Sequence, residues 1–306
     1  MSRRRKWLLR TLLGLLVGAI LFVLLIPVAV GVALTTATGT RPQDRALTTT
    51  PRDFGLRYRS VLLPTEDALR VSAWLLPGSE PVPCGVVIAH GLFRSRREVL
   101  DRAVFLARAG CEVLAIDLRR HGDTRGGRTT LGHDERFDVI AAAHYLRKRS
   151  PGTRLYLMGV SMGAAGVAGA GAALADPPSG VVLDSTFRNA PEVIDQYADL
   201  LFGLPPFPAG DLTRMGMRLS AQFRAEDLDV EEHSRTLGLR GVPVLVIVGT
   251  EDRRAPPGSQ EAVFRANGLS GSRMLTVRGA GHGRPCLVDP AACREAFAAF
   301  MGLSLP

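Results

Sequence analysis

The sequence is poor in lysine, in aromatic residues and in cysteine. Only Lys6 and Lys148 are lysines among its 38 basic residues, aromatic residues make up 6% of the 306 positions, and there are four cysteines. So few cysteines exclude a small disulfide-stapled scaffold, and a chain of this length can bury a core without such staples. No internal period is present, which excludes a repeat array. No basic cluster is interleaved with aromatic residues, so we do not expect nucleic acid as a partner.

The net charge of +9 has a partly local origin. Five basic residues lie within the first ten positions, and the others are spread along the chain among 29 acidic residues. After Arg10 no charged residue occurs before Arg41, and the run from Leu12 to Leu34 is almost wholly apolar. About 20 apolar helical residues cross the hydrocarbon core of a bilayer. We therefore predict a transmembrane anchor over residues 11–35, preceded by a basic segment over residues 1–10.

The basic segment also predicts an orientation. Clustered Arg and Lys residues stay on the cytoplasmic side, so the rest of the chain is expected outside the cytoplasm, held at the cell membrane by a single span. Residues 36–57, with two prolines, are interpreted as a linker to a domain over residues 58–306. The alternative is a cleaved secretory signal, because Gly31-Val32-Ala33 and Thr35-Thr36-Ala37 could each serve as a cleavage site made of small residues. That alternative predicts a secreted protein.

Short apolar runs rich in β-branched residues alternate with helical patterns through the rest of the chain. Near-continuous apolar runs are typical of parallel strands covered on both faces. The pattern predicts an α/β fold with a mostly parallel eight-stranded sheet and helices on both faces. Ligands of such sheets bind beyond the carboxyl ends of the strands. The predicted strands are Ser60–Pro64, Leu69–Leu76, Gly85–Ala89, Glu112–Asp117, Arg154–Met158, Gly180–Leu183, Val242–Val248 and Arg273–Val277.

A G-x-S-x-G motif lies between a predicted strand and a predicted helix. It reads Gly159-Val160-Ser161-Met162-Gly163, and a run of small residues typical of a close-packed helix follows it. This is the context of a nucleophile elbow, in which a serine stands on a turn too tight for side chains two positions away. Glycine at 159 and 163 would remove that clash. We therefore predict Ser161 as a nucleophile.

A nucleophilic serine needs a base, and the base needs an acid that orients it. His282 lies between Gly281 and Gly283, directly after the last predicted strand, and we predict it as the base. Asp252 follows the strand Val242–Val248 and is the predicted acid. Asp184, after the strand Gly180–Leu183, is the alternative acid.

Two backbone N–H groups are expected to bind the oxyanion. One is assigned to Met162, next to the nucleophile. The other is assigned to Leu92, in the His90-Gly91-Leu92 turn after the third strand. In this interpretation His90 and Gly91 support the turn, and His90 is not a second base.

Taken together, these motifs resemble α/β-hydrolases. The resemblance rests on His90-Gly91, the motif from Asp117 to Gly122, the elbow, Asp184-Ser185, Gly249-x-x-Asp252 and Gly281-His282, and it covers about residues 58–302. More narrowly, the chain resembles the Bem46-like and serine-aminopeptidase-like branches. The resemblance implies an α/β-hydrolase fold with a short cap inserted at about residues 189–239.

The predicted activity is hydrolysis of a carboxylic ester, or of a thioester or amide, through an acyl-enzyme. The expected substrate is a small ester or acyl compound, and a carboxylesterase or lipase is favoured over a peptidase. A peptidase or acyltransferase with the same triad, or a non-catalytic binding scaffold, remains the alternative. No cofactor or metal is expected, because the Cys and His residues lack metal-ligand spacing.

The cysteines fall into two pairs. Cys286 and Cys293 lie seven positions apart in a loop with two prolines, and outside the cytoplasm a disulfide there could persist. Cys84 and Cys111 would face each other if their strands were parallel neighbours. Two buried free thiols are the favoured interpretation for this second pair.

Overall fold

An eight-stranded sheet forms the centre of the protein in the computed structural model, which describes residues 3–203 and 206–305. The spatial order is β1-β2-β4-β3-β5-β6-β7-β8, in which β2 runs antiparallel to β1 and β4 and all other neighbours are parallel. This confirms the predicted mostly parallel sheet. The strands are β1 Arg59–Pro64, β2 Arg70–Leu76, β3 Cys84–Ala89, β4 Glu112–Ile116, β5 Arg154–Val160, β6 Gly180–Asp184, β7 Val244–Gly249 and β8 Arg273–Val277.

Helices cover both faces of the sheet. Alternate strand residues such as Val86 and Val87 point into two separate cores. Helices α3 and α11 close one core, and α4, α5, α8 and α9 close the other. The helices are α1 Arg3–Thr36, α2 Pro42–Arg45, α3 Leu100–Arg108, α4 Glu135–Arg149, α5 Met162–Ala173, α6 Ala190–Phe202, α7 Pro206–Ala221, α8 Val230–Leu239, α9 Pro257–Asn267, α10 Pro285–Val288 and α11 Pro290–Met301, with short 3-10 turns at Pro51–Phe54, Arg96–Val99 and Ala225–Asp227.

Helix α1 is long and apolar enough to cross a membrane. Its large apolar side chains from Trp7 to Leu25 are exposed. Further along, Pro27, Gly31 and Thr35 are buried. Because these three residues are four positions apart, they share one face of the helix, and that face packs against α7.

The residues that follow α1 contact the domain at several points. The Thr38 hydroxyl donates to Thr129 Oγ1 at 2.8 Å, and the Thr40 hydroxyl donates to the carbonyl of Arg94 at 2.7 Å. The Arg120 side chain donates to the carbonyls of Thr36 and Thr38. The first part of the segment expected to be a linker, residues 36–57, is therefore held against the domain.

Helices α6 and α7 form the cap, an insertion that lies over the carboxyl edge of the sheet. It begins and ends at one place, because Asn189 bridges to Asp229 and the Ala190 N–H donates to the Leu228 carbonyl at 3.0 Å. Helix α8, which follows the cap, packs on α5 and α9 of the domain. Leu204 and Pro205, which fall within the predicted cap, lie outside the described residues.

All four cysteines are paired. Cys286 and Cys293, whose spacing suggested a bridge, are joined with their Cα atoms 5.4 Å apart. Cys84 and Cys111 are also joined, with Cα atoms 4.7 Å apart, so the prediction of free thiols was wrong. The reason is the strand order. β3 and β4 are parallel neighbours with Gly85 opposite Glu112, and the residues just before this pair face each other.

Candidate active site

The turn between β5 and α5 presents Ser161 beyond the edge of the sheet. Ser161 has φ +53° and ψ −114°, a conformation that side-chain-bearing residues rarely adopt. A Cβ on Gly159 would stand 2.3 Å from the carbonyl carbon of Gly163, and a Cβ on Gly163 would stand 2.5 Å from the His90 carbonyl oxygen. The two glycines therefore make the turn possible.

The structure brings Ser161, His282 and Asp252 into one hydrogen-bonded row. His282 Nε2 lies 2.8 Å from Ser161 Oγ. His282 Nδ1 lies 2.9 Å and 3.1 Å from the two carboxylate oxygens of Asp252. A carboxylate only accepts hydrogen bonds when ionised, so Nδ1 carries the proton and Nε2 faces the serine as the acceptor. This is the arrangement in which a histidine can withdraw the serine proton.

Asp252 is itself held in place. Its carboxylate accepts hydrogen bonds from the N–H groups of Arg254 and Ala255, at 3.0 and 2.9 Å, and from the Gln260 amide at 3.1 Å. These donors fix the carboxylate at the end of β7 and aim it at His282. The Asp252 side chain is fully buried.

Asp184, the alternative acid, has another partner. Its carboxylate lies 2.5 Å from the guanidinium of Arg102, and both side chains are buried. It also accepts from the Ser185 hydroxyl at 3.0 Å, and Ser185 Oγ accepts from the N–H of Gly283, next to the predicted base. Asp184 therefore supports the loop of His282 without contacting the imidazole.

The turn after β3 offers a second backbone donor. On either side of Leu92, the N–H of Gly91 donates to Glu98 Oε2 at 2.7 Å and that of Phe93 donates to His121 Nε2 at 3.2 Å. Leu92 lines the same pocket as Ser161 and Met162. With both neighbours engaged, the N–H of Leu92 is the one that this turn can offer to an oxyanion.

Two buried histidines hold this turn from below. His90 Nε2 accepts from the Leu118 N–H at 3.1 Å, so its Nδ1–H donates to the Gly91 carbonyl at 2.7 Å. Burial, and next the proximity of His121, lowers the pKa of His90 well below its usual range. Burial also lowers the pKa of His121 to about 4. Both rings are therefore neutral at pH 7, as a supporting role for His90 requires.

Glu98 is a site residue that the sequence did not indicate. It comes from the 3-10 turn Arg96–Val99, and its carboxylate accepts from Gly91 in the oxyanion turn. Burial raises the pKa of Glu98 to about 7, against smaller opposing effects of the Gly91 N–H and of Arg102. No motif marks this position, because the contact depends on how the turn folds back on β3.

An apolar pocket opens at Ser161. The cap supplies one side of it from α6 and α7, and the domain supplies another. Helix α1 contributes Val30 and Leu34 to the lining. The remaining apolar wall includes Leu92, Leu131, Phe187, Val193, Ile194 and Tyr197. The participation of α1 was not predicted, although Pro27, Gly31 and Thr35 at four-residue spacing in an apolar run are typical of a helix-packing face.

The sheet order, the elbow and a Ser–His–Asp row at the carboxyl edge define an α/β-hydrolase. Residues 86–298 match the model of the alpha/beta hydrolase family, and the chain belongs to that family. It is similar to Protein bem46 of Schizosaccharomyces pombe, with 23% identity over 247 residues that cover 78% of this chain and 76% of the relative. These findings confirm the predicted resemblance to Bem46-like proteins and make the protein a hydrolase.

Solved structures show the same fold. An esterase from Pyrococcus furiosus superposes with a TM-score of 0.68 at 22% identity, covering 87% of this chain and 97% of that one. A membrane phospholipase A, described as a bacterial virulence factor, superposes with a TM-score of 0.57 at 21% identity. That match covers 98% of both chains, so it includes most of α1.

Proposed function

We propose that the protein is a serine hydrolase that cleaves carboxylic esters with an apolar acyl group. In this mechanism Ser161 Oγ attacks the ester carbonyl carbon while His282 Nε2 accepts the hydroxyl proton. The N–H groups of Leu92 and Met162 stabilise the oxyanion. His282 then donates the proton to the departing alcohol, leaving an acyl-enzyme, and water attacks that intermediate in the same way. The observation that carries the proposal is the 2.8 Å contact between His282 Nε2 and Ser161 Oγ.

The lining of the pocket supports an acyl substrate. Apart from the nucleophile, its walls are predominantly aliphatic and aromatic side chains, with few polar groups to fix a peptide. An amide or peptide substrate would leave its backbone N–H and C=O groups unpaired against such walls, which is unfavourable. The hydrocarbon chain of an ester forms no hydrogen bonds with water, so it loses none on entering the pocket. An acyl-transfer reaction would need the same contacts and differs only in the final acceptor.

We further propose that α1 is retained as a membrane anchor. Cleavage after Ala33 or Ala37 would separate Val30 from the pocket and Gly31 from α7. A cleaved signal peptide is absent from the mature protein, so it would not form part of the folded site. The likeness over most of α1 to a protein described as a membrane phospholipase A is in line with this proposal.

The test is covalent labelling with a fluorophosphonate in membrane fractions. We expect the wild type to label and Ser161→Ala to remain unlabelled, with Ser60→Ala, which changes an exposed serine on β1, as a control that labels normally. Hydrolysis of p-nitrophenyl esters from butyrate to decanoate should follow the same pattern. A folded wild type that neither labels nor hydrolyses any ester would instead favour a non-catalytic scaffold.

A further inference from the structure

The exposed apolar part of α1 matches the thickness of a bilayer core. Its exposed apolar side chains extend from Trp7 to Leu25. This stretch contains one charged residue, Arg10, which lies one turn from its start, where a long side chain can reach the headgroup layer. At 1.5 Å per residue the stretch is roughly 28 Å long, against about 30 Å for the hydrocarbon region. The basic residues Arg3, Arg4, Arg5 and Lys6 lie just before it. The hydrocarbon core therefore ends near Leu25, and the rest of α1 continues beyond it.

That continuation is fixed against the cap by a close helix–helix contact. A Cβ on Gly31 would lie 2.0 Å from the Thr213 carbonyl oxygen, and a Cβ on Gly216 would lie 2.1 Å from the Val28 carbonyl oxygen. The two backbones can approach this closely only because both positions are glycine. One turn further, the hydroxyls of Thr35 and Ser220 lie 2.5 Å apart.

The same stretch of α1 lines the pocket at Ser161 through Val30 and Leu34. Along the helix axis these residues lie roughly 7 Å and 13 Å past Leu25. The polar layer of a bilayer is about 5–8 Å thick on each side. The wall formed by α1 therefore begins at the depth of the lipid headgroups.

From this geometry we infer that the membrane helix is a wall of the acyl-binding site. The substrate is then an acyl ester resident in the same membrane, and its chain passes from the bilayer into the pocket beside Val30 and Leu34. This inference deepens the proposed ester hydrolysis and depends on it. Exposing the acyl chain to water is unfavourable in proportion to its number of methylene groups. Direct passage from the bilayer to the pocket avoids that exposure.

The first test measures acyl-chain selection by the full chain in detergent. Val30→Trp and Leu34→Trp fill space in the pocket, and Ala33→Trp places the same bulk on the exposed face of the same turn. We expect the kcat/KM ratio of p-nitrophenyl decanoate to butyrate to fall about tenfold or more in the first two variants, because each methylene in an apolar pocket is worth 10-fold or more. The ratio in Ala33→Trp should equal that of the wild type.

An unchanged ratio in Val30→Trp and Leu34→Trp would overturn the assignment of α1 as a wall. Failure of the proposed function has a different signature, since the wild type would then hydrolyse neither ester faster than Ser161→Ala.

The second test measures delivery from the bilayer. The protein is reconstituted into phosphatidylcholine vesicles, with a fluorescent phosphatidylcholine ester placed either in the same vesicles or in separate protein-free ones. We expect hydrolysis at least about tenfold faster in the same vesicles. Equal rates in the two arrangements would overturn the bilayer route, because the substrate would then reach the site through water.

Discussion

Asp252 and Asp184 both stand at the carboxyl ends of strands near His282, but their carboxylates have different partners. Asp252 contacts the imidazole, whereas Asp184 pairs with Arg102. We expect Asp252→Asn to lower kcat by about 10⁴-fold with little loss of stability, because an amide in that place no longer selects the required tautomer. Asp184→Asn should instead destabilise the fold by about 3–5 kcal/mol, since it leaves Arg102 buried without its partner charge.

Steady-state kinetics and denaturant unfolding of both variants would separate these roles. The reverse pattern, an active Asp252→Asn and a stable but inactive Asp184→Asn, would make Asp184 the orienting acid.

Glu98 should give the folded protein a pH dependence of its own. Its pKa in the fold is about 7, whereas an ordinary Glu ionises near 4.3. Between those values the folded state holds a proton that the unfolded chain has lost, so the free energy of unfolding falls as pH rises from about 4.5 to 7 and this contribution is constant above that. Glu98→Gln should remove this fall, because the Gln oxygen can still accept from Gly91 without any charge to bury.

The measurement is the melting temperature from pH 4.5 to 8 for the wild type, Glu98→Gln and Glu66→Gln, the last of which changes an exposed carboxylate. If the melting temperature of Glu98→Gln still falls with pH as that of the wild type does, the pH dependence arises from other groups.

At the scale of whole elements, the sequence and the structure agree best where local pattern determines the outcome. The run Val86-Val87-Ile88 predicted a strand buried on both faces, and β3 is one. The pairing of Cys84 with Cys111 needed the strand order, which local pattern does not contain. The packing of α1 on α7 likewise joins Thr35 to Ser220 across 185 positions.

That helix contact can be tested with matched glycine substitutions. Gly31→Leu places a Cβ 2.0 Å from the Thr213 carbonyl, so α1 and α7 must separate, whereas Gly18→Leu has nothing within 4 Å. We expect Gly31→Leu to lower the melting temperature and to reduce hydrolysis of decanoate more than that of butyrate, because Val30 and Leu34 withdraw from the pocket. Gly18→Leu should change neither quantity. Identical behaviour of the two variants would mean that the contact between α1 and α7 does not shape the site.

At the scale of the molecule, Ser161, Asp252 and His282 were chosen from their order along the chain, and the structure places their side chains within hydrogen-bond distance of one another. Each follows a strand of one parallel sheet, and the carboxyl ends of such strands meet at one edge. The supporting groups could not be predicted in this way. Glu98 and Arg102 lie on a turn and a helix between strands, and their contacts with Gly91 and Asp184 depend on tertiary packing.

The proposed membrane anchor, with its predicted orientation, makes a prediction about the cysteine thiols. Basic residues occupy the first turns of α1, which should keep the N-terminus in the cytoplasm and the domain outside, where disulfides persist. Both cysteine pairs of the structure lie in that domain. Under denaturing conditions we therefore expect an alkylating reagent to modify no cysteine before reduction and four after it, by intact mass. Four modified thiols without reduction would indicate a reducing compartment and hence the opposite orientation, whereas two would mean that one of the pairs is open in the cell.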